Sequence, residues 1–454
     1  MEIQQFYDSH LAHASYAIFS NGEVALVDPG RNPNSYLEFA RDRAARIVAV
    51  FETHPHADFV SSHMEFIEKH GAKVYINPRV GVSYSYKALK DGDEVKIGRA
   101  TIRTLFTPGH SPDHNSYLAL DRNGKAKAIF TGDSLFIGDV GRPDLREQAG
   151  NIHEQRDKLA RMMYRTLQNV FKKLPDEVVV YPAHGAGSLC GKNMSDETKS
   201  TIGKEKHYNW AMQVEDEEKF VELLLDGQPF IPKYFPYDVD LNGKGAPAYE
   251  ESIAAIKRLP GNTPLQEGLP VIDARQEADF KAGHMPGSYN IQNIENEKFE
   301  TWVGSIIGPE EKFYVLAESE RELEYANRRL AKIGYELLIE GELVPNADLL
   351  TEKDELLNLA DFRENRDRYT IVDIRSASEI EDTASFFSNA INIPLHELRE
   401  RASELPLDKP IVVHCAGGYR SAIGSSIIKS VTGFEQVYDL STAVEEYKMA
   451  AVTQ

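Results

Sequence analysis

A short motif that occurs twice constrains this chain most. Val271-Ile272-Asp273-Ala274-Arg275 returns as Ile371-Val372-Asp373-Ile374-Arg375, placing the two aspartates 100 positions apart, at 273 and 373. Each copy runs on to a second apolar segment, at Asn290 and Asn392. Each then reaches a third apolar run, ending at Leu316 and His414, followed by a helix-like stretch and a last short strand. Solenoid repeats have periods of about 20–50 residues, so this period predicts two similar α/β domains, over residues 246–350 and 351–454. Residues 1–245 remain for a first domain and its connector, and 454 residues suit such a multidomain α/β chain.

The first part alternates short β-type runs with turns and helical stretches. The run from Ala45 reads as a buried strand that ends at His54, Ala126 to Phe130 leads to Asp133, and Val178 to Tyr181 leads to His184. Polar residues at the ends of successive strands are how layered α/β enzymes assemble sites. The segment from Ser61 to His70 has helical character. Residues 190–250 are polar and helix-prone, and the Pro-, Gly- and aromatic-rich stretch from Gln228 to Pro247 reads as an ordered connector.

A formal net charge of −20 excludes a nucleic-acid backbone or an anionic membrane as the main partner. The N-terminal residues lack a basic segment followed by an apolar core, and no apolar run reaches the length of a membrane span, so the expectation is a cytoplasmic protein. The chain has two cysteines, Cys190 and Cys415, which rules out a disulfide scaffold and fits a reducing compartment.

The segment Thr53-His54-Pro55-His56-Ala57-Asp58-Phe59 sets two histidines and an aspartate at alternating positions after a strand, a pattern that core packing seldom explains. Thr107-Pro108-Gly109-His110, Thr131-Gly132-Asp133 and Tyr181-Pro182-Ala183-His184 follow in order. Together these segments resemble the metallo-β-lactamase superfamily, which implies an αββα sandwich for the first domain. In its two-metal hydrolases a histidine that serves the second metal follows the aspartate. Here that position is Phe59, which favours a single ion. The resemblance is to the persulfide dioxygenases of this superfamily, and their iron ligands fall on His54, His110 and Asp133. Two histidines and a carboxylate with open positions also form the facial set of non-haem Fe(II) oxygenases. The resemblance makes His56, Asp58 and His184 residues that orient ligands or meet substrate. Arg142, in Gly141-Arg142-Pro143-Asp144, either shapes the site and meets a substrate carboxylate or forms a brace with Asp144. Cys190 is either a sulfur-carrying thiol at the mouth of the site or a packed loop residue. His63, His70, His153 and His207 lie outside the motifs and read as surface or packing residues.

His414-Cys415-Ala416-Gly417-Gly418-Tyr419-Arg420 follows a strand and precedes a helix, and resembles the active loop of rhodanese sulfurtransferases. Glycines turn backbone N–H groups toward the sulfur and the helix start favours negative charge there. The resemblance makes Cys415 the nucleophile that carries a persulfide, cradled by Ala416 to Tyr419, with Arg420 closing the loop on an anion. The middle copy has Ala317 at the cysteine position and Glu322 at the arginine position, so it is expected to transfer no sulfur and to serve as a structural or interface domain.

The resemblance therefore implies an Fe(II) persulfide dioxygenase fused to two rhodanese-type domains. A low-molecular-weight persulfide and O2 would be its substrates, with sulfite or thiosulfate at the rhodanese site, and a homo-oligomer is expected. The thiol is left open among glutathione, coenzyme A and bacillithiol. The alternatives are a zinc thioester hydrolase of the glyoxalase II type with a rhodanese appendage, and a degenerate lactamase fold that acts as scaffold for a sulfur carrier.

Overall fold

The strands His13–Ser20 and Asn115–Leu120 are buried at all but one of their positions. Strands with both faces covered belong at the centre of a layered structure. The computed structural model describes residues 1–145 and 156–451, which divide into two units: Met1–Ser252 with Ala331–Gly334, and Ile253–Leu330 with Tyr335 onward.

The first unit holds two six-stranded sheets. One runs, in spatial order, Glu2–Asp8, His13–Ser20, Glu23–Val27, Arg46–Phe51, Lys73–Ile76 and Lys87–Ala88. The other runs Ser200–Thr201, Val179–Pro182, Ala126–Gly132, Asn115–Leu120, Ala100–Phe106 and Glu94–Ile97. Tyr16, Ile18, Val27 and Phe51 of the first sheet share a core with Ile102, Tyr117, Ala119 and Phe130 of the second. The outer face of the first sheet packs on Tyr36, Phe39 and Phe66, from helices Asn34–Asp42 and His63–His70. The second is covered by Ala160, Met163, Leu167, Phe220 and Leu224, from helices Arg156–Asn169 and Glu217–Leu225. The layers are thus helix, sheet, sheet, helix.

Register places the polar residues. Val27 pairs with Phe51 in parallel strands, so Asp28 and the Glu52–Phe59 loop leave the first sheet together. Gly132 pairs with Pro182, so Asp133 and His184 leave the second sheet on one edge. The strand before His54 ends at Phe51, earlier than the apolar run suggested. The connector differs more: Phe235–Lys244 is a helix, with Pro236 in the first turn, where its missing N–H breaks no helical bond. His153 lies outside the described residues. Among the other histidines set aside from the motifs, His63 is buried, and His70 and His207 are exposed.

The second unit repeats itself down to its hydrogen bonds. Each half is a four-stranded parallel sheet. The first has the order Tyr289–Asn290, Val271–Asp273, Phe313–Leu316, Ile339–Leu343, and the second Ile391–Asn392, Thr370–Asp373, Ile411–His414, Val437–Asp439. In one half the Arg275 Nη2 donates to Asp273 at 2.6 Å; in the other Arg375 does the same to Asp373 at 2.6 Å. The Asn290 and Asn392 amides each donate to the carbonyls of the aspartate and the arginine. Both guanidinium groups are buried, so removing the carboxylate would strand a charge in a place that cannot solvate it. Among the described residues, no helix is long and apolar enough to cross a membrane.

Candidate functional site

Three ligand-type atoms converge in the first unit. His54 Nε2 lies 3.9 Å and His110 Nε2 3.5 Å from Asp133 Oδ2, and the three residues are buried. Hydrogen bonds fix which atom each presents. The Thr53 hydroxyl donates to Asp28 Oδ2 at 3.0 Å, so its lone pairs accept the Nδ1–H of His54, also at 3.0 Å. His110 Nδ1–H donates to the Arg142 carbonyl at 2.8 Å. In both rings Nε2 is left as the lone-pair nitrogen, the arrangement by which an outer partner sets the tautomer of a metal-binding histidine. Burial holds both imidazoles below their usual range, hence neutral. Asp133 accepts the Nδ1–H of His184 on Oδ1 at 2.8 Å, which leaves Oδ2 for the two histidines. His54 Nε2 and Asp133 Oδ2 are buried without a hydrogen-bond partner. Buried polar atoms are nearly always satisfied, and a cation is the partner this donor set fits.

The remaining motif residues surround that triplet. His184 is held between carboxylates, with Nε2 2.8 Å from Asp58 Oδ2. Burial opposes its charge, but Asp133 and Asp58 outweigh burial and keep it well above the usual imidazole range. His56 Nε2 lies 3.3 Å from Asp28 Oδ1 and its ring centroid 4.1 Å from that of His54; His56, Asp133 and His184 form a second close triplet. Phe59 is buried and stacks on His13 with centroids 3.7 Å apart. Cys190 is buried, within 4.8 Å of ligand-type atoms of Asp58 and His184. Burial first, then Asp58 and Asp133, push its thiol well up, so it is protonated.

Arg142 forms a bidentate pair with Asp144: its Nε and Nη2 each donate to that carboxylate at 2.7 Å, and Nη1 donates to the Leu189 carbonyl at 3.2 Å. What it gives the site is its backbone carbonyl, which orients His110.

Several supports escaped sequence reasoning. His114 Nε2 accepts the backbone N–H of Asp133 at 3.1 Å, and its other nitrogen meets Thr107 Oγ1 at 2.9 Å. Asn242, on the helix where a connector was expected, donates to the His56 and Phe59 carbonyls and accepts from Ser61 N–H, pinning the ligand loop. Asp28, which follows the strand Glu23–Val27 and opens an Asp-Pro-Gly turn, anchors Thr53 by accepting its N–H at 2.8 Å and its hydroxyl at 3.0 Å. The Asp28-Pro29-Gly30 turn carried no sign of this, because the contact crosses between strands. Gly132 has φ +52°, and a Cβ there would lie 2.4 Å from His114 Nε2 and 2.6 Å from Thr53 Oγ1. Gly132→Ala should destabilise the first unit by about 2–4 kcal/mol and lower its bound metal, as thermal unfolding and metal analysis would read.

In the second unit Cys415 directly follows the strand Ile411–His414, and the helix Tyr419–Thr432 comes next. Gly418 N–H donates to Cys415 Sγ at 3.1 Å. Gly418 has φ +107°, and a Cβ would lie 2.8 Å from the Ser441 carbonyl carbon, so both backbone and space require glycine. Ala416 and Gly417 complete the turn. Tyr419 hydroxyl donates to the Gln292 carbonyl of the other half at 2.9 Å. Arg420 is bound in bidentate fashion to Glu379, at 2.8 and 2.6 Å. In the middle repeat Ala317, buried, holds the place of the sulfur.

The buried His–His–Asp triplet in a helix–sheet–sheet–helix unit, and the paired parallel sheets beyond it, define a metallo-β-lactamase domain followed by rhodanese-like domains. Comparison with known proteins agrees: the metallo-beta-lactamase superfamily profile matches residues 10–184, and the rhodanese-like domain profile matches residues 254–341 and 354–450. A hydroxyacylglutathione hydrolase of Polaromonas sp. is 31% identical over 166 residues, which are 36% of this chain and 57% of that protein; the match thus spans little more than half of that relative. A hydroxyacylglutathione hydrolase of Francisella tularensis subsp. novicida is 25% identical over 51% of this chain and 82% of its own. The crystal structure of a metallo-beta-lactamase from Staphylococcus aureus superposes with a TM-score of 0.68 at 29% identity, covering 76% of this chain and 99% of that one.

Proposed function

We propose that the chain is an Fe(II) persulfide dioxygenase coupled to rhodanese-type sulfur transfer, with the balance RSSH + O2 + H2O → RSH + SO3²⁻ + 2H⁺. The observation that carries the reading is the close triplet of His54, His110 and Asp133, in which His54 Nε2 and Asp133 Oδ2 are buried without a hydrogen-bond partner, beside a Phe59 that offers no ligand to a second ion. Iron held there would supply open positions at which a persulfide and O2 could meet, and the four electrons that O2 takes up would come from the persulfide sulfur as it becomes sulfite. The chain's own residues fix the ligands: Thr53 and the Arg142 carbonyl set the two imidazole tautomers, and His184 occupies the far oxygen of Asp133. Burial keeps bulk water from the reacting atoms. Cys415 would take a sulfane sulfur and pass it on; with sulfite as acceptor the product is thiosulfate. A persulfide is the substrate class that both ends of the chain can use.

The relatives named hydroxyacylglutathione hydrolase favour a second reading, a zinc thioester hydrolase. Metal analysis of anaerobically purified protein, with hydrolysis of S-lactoylglutathione assayed beside it, separates the two. One iron per chain and no thioester hydrolysis is the expected result. Zinc with thioester hydrolysis would overturn the dioxygenase reading.

A further inference from the structure

The six residues from Cys415 to Arg420 contain one cation, Arg420, and the structure gives that cation a partner. Glu379 binds it through both oxygens. Glu379 is itself fixed from behind: it sits in the first turn of helix Ala377–Thr383, where its backbone N–H donates to Ser376 Oγ at 3.2 Å and its Oε2 accepts the Ser376 N–H at 3.0 Å. The pair is largely shielded, with Arg420 16% and Glu379 37% exposed, and the Trp302 ring lies 5.7 Å from the guanidinium. Burial alone would raise the Glu379 carboxyl; Arg420 outweighs it and brings the carboxyl down to about 2, so the pair is ionised at neutral pH. Neighbouring cations are paired as well: Arg375 with Asp373, and Lys281 with Asp439 and Glu277.

A bidentate guanidinium–carboxylate pair is close to neutral overall and presents little net charge to a third group. This matters because the sulfur donors differ in charge. With a persulfide, the Cys415 thiolate attacks the outer sulfur of R–S–S⁻; a Cys415 S–S bond forms, the donor's own S–S bond breaks, and RS⁻ leaves with the electron pair. With thiosulfate the same two-electron displacement expels SO3²⁻, but the thiolate must first meet a dianion. We propose that Glu379 is a specificity-determining residue that, by neutralising Arg420, selects a persulfide, whose reacting group bears a single negative charge, over the thiosulfate dianion as the donor to Cys415. This rests on the reading of Cys415 as a sulfur carrier. Under it, thiosulfate formed at this loop is poorly held and departs as product.

The test is steady-state sulfur transfer to cyanide by the full chain, from thiosulfate and from glutathione persulfide in parallel. Glu379→Gln removes the charge, and glutamine can still serve the third position of a capped helix. The ratio of kcat/KM for thiosulfate to that for persulfide should rise about tenfold, the effect of a modest change in charge complementarity, through a lower KM for thiosulfate. Ser376→Ala loosens the same helix start without altering charge and should leave the ratio at the wild-type value. An unchanged ratio in Glu379→Gln, or an equal rise in Ser376→Ala, overturns the proposal. A wild-type chain that transfers sulfur from neither donor overturns the reading of Cys415 itself, and the proposal with it.

Discussion

Replacing His110 by alanine should lower persulfide-dependent oxygen uptake by more than about 100-fold, since losing even an outer partner of a metal ligand costs 10–100-fold. The substitution removes one of the two nitrogens that face Asp133 Oδ2 and strands the Arg142 carbonyl that His110 satisfies. His54 and Asp133 alone would hold an ion weakly, so metal content should fall with activity. Cys415 and the loop that carries it belong to the second unit, and sulfur transfer through Cys415 should continue at the wild-type rate in the same preparation. That retained activity reports that the chain has folded. Equal oxygen uptake by the variant and the wild type would mean that the first unit is a scaffold.

Cys415→Ser should have the opposite pattern. Loss of a nucleophile that works as a unit with its surroundings costs at least about 1,000-fold, so sulfur transfer should vanish and sulfite should accumulate where the wild type yields thiosulfate. Oxygen uptake should stay as it was. Ala317 cannot substitute, because its loop leads to Glu322 at the position that Arg420 fills in the other repeat. Product analysis by sulfite- and thiosulfate-specific derivatisation reads the outcome. Continued thiosulfate formation by Cys415→Ser would assign that step elsewhere in the chain.

Much of this was legible in the order of residues because ligand loops follow strands. His54, Asp133 and His184 each come shortly after an apolar run, and the repeat of Asp273-Ala274-Arg275 at Asp373-Ile374-Arg375 announced two like sheets. What stayed hidden are contacts made across the fold. His114 supports Asp133 from a neighbouring strand, Asp28 reaches Thr53 through the pairing of Val27 with Phe51, and Asn242 closes on the ligand loop from a helix 186 positions from His56. Periodicity cannot indicate such partners. The connector read as ordered, and its composition did not say that Phe235–Lys244 would be a helix that begins beside Pro236. Arg142 left two readings open in sequence, and the structure adds its bidentate bond to Asp144. Arg420 was expected to face an anion, and the carboxylate it meets is the chain's own Glu379.

Oxygen consumption by the anaerobically purified, iron-loaded chain on glutathione persulfide tests the central claim most directly. The account predicts uptake of one O2 per persulfide consumed, with sulfite appearing in equal amount when Cys415 is replaced by serine. No persulfide-dependent uptake by the iron-loaded protein would contradict it.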